Sequence, residues 1–247
     1  MSELTGRIAL VTGGGSGIGR ATALVFARAG ADLIINDISP ERAEGVASEV
    51  ADLGRKALAI PADVADLGAV EAMAGQALKS FGKVDIVVNN AGIGVEVPFH
   101  KMSKEEWERM FAVHVGGTFH CTRSLLPQMM ERRWGRIISI SSVAGLMGEV
   151  GLVHYSAAKA AILGFTKALA REMASYGITV NAIAPGLIDT PLARSIQPEL
   201  WQKFVSASPV GHEGKPEDIA HACAYLASEG ASFVTGQVLS PNGGIWM

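Results

Sequence analysis

The sequence predicts an α/β fold: one domain on a doubly wound parallel sheet, with helices on both faces and three layers in all. Three observations carry this expectation. Strand-like and helix-like segments alternate from one end of the chain to the other. Most of the strand-like segments are continuous apolar runs, which is how strands buried on both faces of a parallel sheet read. A glycine-rich turn, TGGGSGIG at 12–19, joins the first such run to the first helix-like stretch.

In order, RIALVT (7–12) is the first strand, followed by the glycine turn and an alanine-rich helix. ADLIIND (31–37) is the second strand. SPERAEGVASEV (39–50) opens a helix with Ser39 as N-cap and Pro40 at the first helical position, where a missing N–H costs nothing. ALAIPAD (57–63), VDIVVNN (84–90), RIISISS (136–142) and ITVNAIAP (178–185) are further strands. SKEEWERMFAVHVGGTFHCTRSLLPQMM (103–130) has Ser103 and Glu106 at capping-box spacing and reads as one long helix. Residues from about 186 to 215 break the alternation and read as an inserted lid. There is no linker, repeat or low-complexity segment.

The 247 residues, 49% of them hydrophobic, suffice for one sizeable core. The net charge is -3, and no basic run points to nucleic acid or an anionic membrane. The N-terminus lacks the pattern of a secretory signal, and no apolar run approaches the roughly 18–20 residues of a membrane span. Cys121 and Cys223 stand far apart and read as buried thiols of a cytoplasmic protein.

Gly13, Gly17 and Gly19, with Gly14 and Gly15 between, suit a tight turn. A pyrophosphate can approach its bare backbone while helix N–H groups point at the phosphate. The second strand ends at Asn36–Asp37. An acid there accepts hydrogen bonds from a ribose diol and repels a 2′-phosphate; it also suits a turn or cap before Ser39. No Arg or Lys flanks Asp37 in sequence, and the turn carries Ser16 rather than a base. Both features favour NAD over NADP.

Tyr155 and Lys159 stand at i and i+4, on one face of a helix. A neighbouring ammonium favours the phenolate, so the pair suits acid/base work on a carbonyl or alcohol. Ser142 follows the end of the strand RIISIS, where parallel sheets bind ligands; it reads as a substrate hydrogen-bonding group or as a loop or cap serine.

Together, TGGGSGIG (12–19), Asp63–Val64, NNAG (89–92), Ser142, YSAAK (155–159), PGLIDT (185–190) and VTGQVLSPNGG (234–244) resemble the short-chain dehydrogenase/reductase family of the single-domain type. The resemblance spans essentially the whole chain. It implies a Rossmann-type domain over residues 1–247 and an NAD-linked interconversion of a secondary alcohol, or a 3-hydroxyacyl group, and its ketone. An NADPH-linked 3-oxoacyl-thioester reductase is the alternative, and a non-catalytic dinucleotide-binding regulator a remote one. Tyr155 is the implied acid/base. Lys159 would lower its pKa and hold the nicotinamide ribose, and Ser142 would orient the substrate oxygen. Gly13, Gly15, Ser16, Gly17, Ile18, Gly19 and Asp37 fall to the cofactor, as do Asp63 and Val64 near its adenine. Asn90, Ala91 and Gly92 fall to its adenosine side, and Pro185, Gly186, Ile188 and Thr190 to its nicotinamide and pyrophosphate region.

The family usually has asparagine where this chain has His114, thought to hold a water that links the lysine to solvent. A neutral imidazole has one donor and one acceptor nitrogen and could bind the same water. His114 also reads as a buried structural histidine. Metal ligation is the least favoured reading, because no histidine pair has zinc spacing.

Leu146, Met147, Val150 and Leu152 before the tyrosine, and Leu187, Leu192, Ile196 and Trp201 in the lid, are expected to line an apolar pocket or to be ordinary core. An apolar secondary alcohol or ketone fits such a pocket as a small-molecule substrate, and so does the β-keto end of an acyl thioester. Small residues at Ala157, Ala160, Ala161, Gly164 and Ala168 permit close packing on the sheet and on a partner helix. The family is commonly tetrameric through the helices of 103–131 and 155–175, so a homotetramer is expected.

Overall fold

The apolar runs become the strands expected of them. In the computed structural model, which describes residues 3–196 and 198–247, these are β1 (Ile8–Thr12), β2 (Asp32–Asn36), β3 (Ala57–Ala59), β4 (Ile86–Asn89), β5 (Gly135–Ile140), β6 (Ile178–Ile183) and β7 (Val238–Leu239). They pair in parallel throughout, in the order β3-β2-β1-β4-β5-β6-β7. β1, β4, β5 and β6 are buried at every residue, as a sheet covered on both faces requires.

Alternate residues of each strand supply the two cores. Val11, Ile35 and Val88 face α1 (Gly17–Arg28), α2 (Pro40–Asp52) and α9 (Pro216–Ala227), packing with Phe26, Val46 and Leu226. Leu10, Ile34 and Val87 face α3 (Leu67–Phe81), α5 (Gly117–Arg132) and α7 (Val153–Met173), packing with Met73, Leu125 and Met173; a short α6 (Ala144–Met147) lies between β5 and α7. The strand order reverses between β1 and β4, and a crevice opens beyond the carboxyl ends of the strands at such a switch.

The expected caps are present. The Ser39 side chain accepts the Arg42 N–H at 3.3 Å, and Ser103 and Glu106 form a capping box on α4 (Lys104–Phe111). The long helix expected over 103–130 is interrupted, however. α4 and α5 are joined by a π-helical turn, Ala112–Gly116, which contains His114. A Cβ on Gly117 would stand 2.7 Å from the Val64 side chain, so this glycine lets the start of α5 press against the loop after β3. Such π-turns recur at functional sites.

The segment expected as a lid holds a 3₁₀ turn (Ala193–Ser195) and α8 (Pro198–Ala207). Its ends are tied together: Gly214 N–H donates to Leu187 O and Asp189 N–H to Gly214 O, both at 2.9 Å. Residue 197 of this segment, and residues 1–2, lie outside the described residues. Both cysteines are free and buried. No described helix is long and apolar enough to cross a membrane.

One buried carboxylate clamps the amino ends of the central strands. Asp85 accepts the Ile8 N–H at 3.0 Å, Arg132 at 2.6 Å and Lys83 at 2.8 Å. Asp85→Ala should destabilise the fold by about 3 kcal/mol, the low end for a broken buried pair, because Lys83 and Arg132 keep some access to water. Urea titration checks this; a loss below about 1 kcal/mol would mean that solvent replaces the clamp.

Candidate active site

The glycine turn is shaped for a ligand that touches backbone. Gly13 and Gly17 have φ of 60° and 50°, in the left-handed region. A Cβ on Gly19 would sit 2.1 Å from Gly13 O, so the turn folds onto the first residues of α1 with no room for a side chain. Ser16 is the N-cap residue of α1, but its side chain makes no capping bond. The helix start thus offers its own N–H groups, at the positive end of the helix dipole.

The neighbouring loop is fastened to this turn. Thr12 Oγ1 accepts the N–H groups of Asn90 and Ala91 at 3.0 and 3.1 Å. Asn90 Nδ2 donates to Thr12 O and Gly13 O. A cleft of about 1050 Å³ runs from here across the sheet ends. Gly13, Ser16, Gly17, Ile18, Asp37, Asp63, Val64, Asn90, Ala91 and Gly92 line one part. His114, Ser142, Tyr155, Lys159, Pro185, Gly186, Ile188 and Thr190 line the rest. Of the expected site residues, Gly15 and Gly19 do not line the cleft; they stand behind the turn and let it pack. Leu146 and Trp201 do not line it either, and Trp201 instead stacks with the Arg194 guanidinium at 4.3 Å.

Asp37 is buried. Its Oδ2 accepts the Gly15 N–H at 3.1 Å, and its Oδ1 accepts the Ser39 N–H at 3.0 Å and Arg42 Nη2 at 2.8 Å. The expectation that no base accompanies Asp37 therefore fails in space. The N-cap and Pro40 start α2 so promptly that Arg42 lands on its first turn, within reach of the strand end. Asp63 likewise meets Arg109 of α4 at 3.0 Å.

At the other end, α7 places Tyr155 and Lys159 on one face, as their spacing predicts. Lys159 is buried, donates from Nζ to Ile140 O at 2.7 Å, and stands 5.5 Å from the Tyr155 ring centre. Burial pushes the Lys159 ammonium down to about 7. Tyr155 keeps part of its ring open to the cleft, yet burial of its hydroxyl raises its pKa, and a hydrogen bond with Ser142 opposes the rise. The sequence suggests an ammonium pulling the tyrosine down. Enclosure opposes that pull, because burial favours the neutral form of each group.

The His114 ring meets Tyr155 edge-on, with centres 5.4 Å apart. Its Nε2 lies 2.8 Å from Ile93 O, so Nε2 carries the proton, and the 3.2 Å approach of the Ile93 N–H is not a bond. Nδ1 is left as a buried acceptor with no partner among the described residues. A Cβ on Gly92 would lie 2.5 Å from the ring, so imidazole and glycine are packed as a unit. Burial first, then Lys159, holds His114 well below the usual histidine range, and the ring is neutral.

A family model described as enoyl-(acyl carrier protein) reductase matches residues 13–245. The 3-oxoacyl-(acyl-carrier-protein) reductase FabG of Aquifex aeolicus is 42% identical over 99% of each chain. The chain belongs to the short-chain dehydrogenase/reductase family. Two solved members of that family superpose closely. A 3-ketoacyl-(acyl-carrier-protein) reductase of Brucella melitensis, complexed with NADH, has a TM-score of 0.94 at 38% identity, covering 99% of this chain and 100% of that one. A 7α-hydroxysteroid dehydrogenase, complexed with NADH and 7-oxo glycochenodeoxycholic acid, has a TM-score of 0.95 at 37% identity, covering 98% and 95%. The protein is thus an oxidoreductase of hydroxyl and keto groups.

The bare-backbone cradle and the N–H groups at the start of α1, which line the cleft, suit the phosphates of a dinucleotide. Sequence reading of this short-chain dehydrogenase/reductase gives no role to the side chains of Thr12, Arg42 and Arg109, and it places Ser141 at the strand end without its bond to Lys159 O at 2.8 Å. Only Arg42 leaves a usable signal, its position three residues after a strong N-cap.

A buried lysine with a folded pKa of about 7 binds fewer protons than the unfolded chain between pH 7 and roughly 10.4, so its cost to stability is full below pH 7 and fades as pH rises. Replacing it by the isosteric Lys159→Met should therefore help stability more at pH 6 than at pH 9. The melting-temperature difference from wild type should move in methionine's favour by about 5 °C between the two. A difference independent of pH would show that the ammonium is not held near neutrality.

Proposed function

We propose that the protein uses NAD(H) to interconvert a secondary alcohol, or the 3-hydroxy group of an acyl chain, and the corresponding ketone. The observation that carries this reading is the convergence of Ser142, Tyr155 and Lys159 on one cleft that begins at the glycine cradle. Bound there, the cofactor supplies the hydride acceptor or donor. In oxidation Tyr155 takes the alcohol proton, and in reduction it gives a proton to the carbonyl oxygen. Ser142, in contact with Tyr155, orients the substrate oxygen. Lys159, fixed by Ile140 O, stabilises the phenolate and holds the ribose. The segment 186–215 acts as the substrate lid, and Leu187, Leu192, Ile196 and Phe204 offer its apolar wall. Among the described residues, Glu96, Glu149 and Lys159 are the charged side chains lining that end of the cleft, and the two carboxylates disfavour an anionic group there.

The second reading is NADPH-linked reduction of a 3-oxoacyl thioester, favoured by the relatives named for that reaction. The protein works in the cytoplasm as a homotetramer in either reading. Phe119 on α5, and Phe233 and Trp246 near the last strand, are exposed apolar side chains that other copies would cover.

Absorbance at 340 nm, followed with secondary alcohols and 3-oxoacyl thioesters and with both cofactors, separates the readings. Tyr155→Phe should lower turnover at least about 10²-fold while NADH binding persists. Because burial raises the tyrosine's pKa, oxidation should accelerate with pH above neutrality. Turnover indifferent to Tyr155→Phe, or an oxidation rate flat from pH 6 to 9, removes Tyr155 as the base.

His114 enters the same reading with half of the role that its sequence position allows. Its donor is committed to Ile93 O, so it holds the loop of Gly92 and offers Nδ1 to accept from a water on the proton path. His114→Asn should keep most of the turnover, and His114→Leu should lose about tenfold or more with a changed solvent isotope effect. Full turnover in the leucine variant across neutral pH would reduce the ring to a space filler.

A further inference from the structure

We propose that a second chamber, behind α8, receives an apolar tail of the substrate and that Val205 sets the length of tail the protein accepts. The inference rests on the reading of the cleft as a site of alcohol–ketone interconversion. It adds the part of the substrate remote from the reacting carbon.

The chamber has a volume of about 250 Å³ and lies between α8 and the C-terminal segment 241–245. Leu187, Ile188, Phe204 and Ile245 line both the chamber and the cleft, so an apolar partition separates the two spaces. A tail would pass beside the Phe204 ring, which is half-buried in that partition. Val205 and Val210 line the chamber and not the cleft, and Val210 is still 57% exposed. The walls are fastened to each other. The Val210 N–H and the Ser208 hydroxyl both donate to Gly243 O at 3.1 Å, which pins the C-terminal segment to the end of α8. Gly243 and Gly244 have φ of 66° and 85°, and a Cβ on either would crowd Ser208 or Pro209, so glycine is what lets the segment run there.

The polar side chains of the lining are already engaged. Ser208 is committed to Gly243 O, the His212 ring bonds Glu213 O at 2.8 Å, and Asp218 accepts the Lys215 N–H at 2.7 Å. Asn242 donates to Ser240 Oγ and Trp246 O and accepts the Gly244 N–H. A polar occupant would find few unused partners among the described residues, whereas hydrocarbon gains by leaving water. An apolar cavity of ~150 Å³ is enough to take a benzene ring, so this chamber has room for a tail of about six carbons. It is smaller than a free-standing ligand pocket, which starts at roughly 300 Å³, and this suits an annex to the cleft rather than a separate site.

A chain-length series tests this, with 2-alkanols from butan-2-ol to decan-2-ol and 3-oxoacyl N-acetylcysteamine thioesters of matching tail length. In wild type, kcat/KM should rise by up to about fourfold per added methylene once the tail reaches the chamber. Val205→Trp fills the space and should lower kcat/KM for the longest member at least about tenfold relative to the shortest. Val205→Ala enlarges the space and should move the best chain length upward by about one carbon or more. If kcat/KM is indifferent to chain length in wild type, the chamber takes no tail. The same holds if Val205→Trp leaves the long-to-short ratio unmoved and Val205→Ala leaves the best length where it was. If wild type turns over no member of either series with either cofactor, the alcohol–ketone reading of the cleft fails, and the role of the chamber with it.

Discussion

Seven parallel strands end on the same side of the sheet, and each ending leaves backbone groups that the ladder no longer satisfies. The cleft is largely the set of side chains that satisfy them. Thr12 takes the N–H groups of Asn90 and Ala91, and Asn90 returns bonds to the carbonyls of Thr12 and Gly13. Lys159 caps the last carbonyl of β5, Ser141 reaches back to Lys159 O, and Ser240 covers Ala184 O. The lysine is thus a strand cap as well as a reactive group. The same bonds that close the sheet fix the geometry between the glycine cradle and the tyrosine.

Enclosure then sets the chemistry. Lys159 is lowered to about 7 by burial, His114 is kept neutral, and Tyr155 is raised. Three neighbouring groups with displaced titrations are costly to a fold, and such costs concentrate where proton transfer is needed. The amino ends of the strands behave differently. There the buried Asp85 is fully paired and only ties elements together.

Much of this was legible before any coordinates. Continuous apolar runs gave the parallel sheet, because strands covered on both faces have no polar side to show. Ser39 with Pro40 and Ser103 with Glu106 marked helix starts, because capping is local chemistry. Tyr155 and Lys159 share a face by spacing alone. The features that escaped depend on distances across the chain. Arg42 reaches Asp37 only because α2 begins at once, and no scan of immediate neighbours counts it. The π-turn at His114 has no signature of its own in an otherwise helical pattern. The depression of Lys159 follows from burial, which a one-turn spacing to Tyr155 does not disclose.

That π-turn also shows how the helix absorbs one residue too many. An α-helix advances about 100° per residue, and the wider turn holds one residue more than an α-helical turn of similar height, so α4 and α5 keep their faces in register across it. Arg109 still reaches Asp63, and Met110 stays in the core. Removing the extra residue would restore an ordinary turn and leave those flanking contacts standing. What would go is the bulge that holds His114 at the cleft. The length of this stretch sets the place of one ring, not the alignment of two helices.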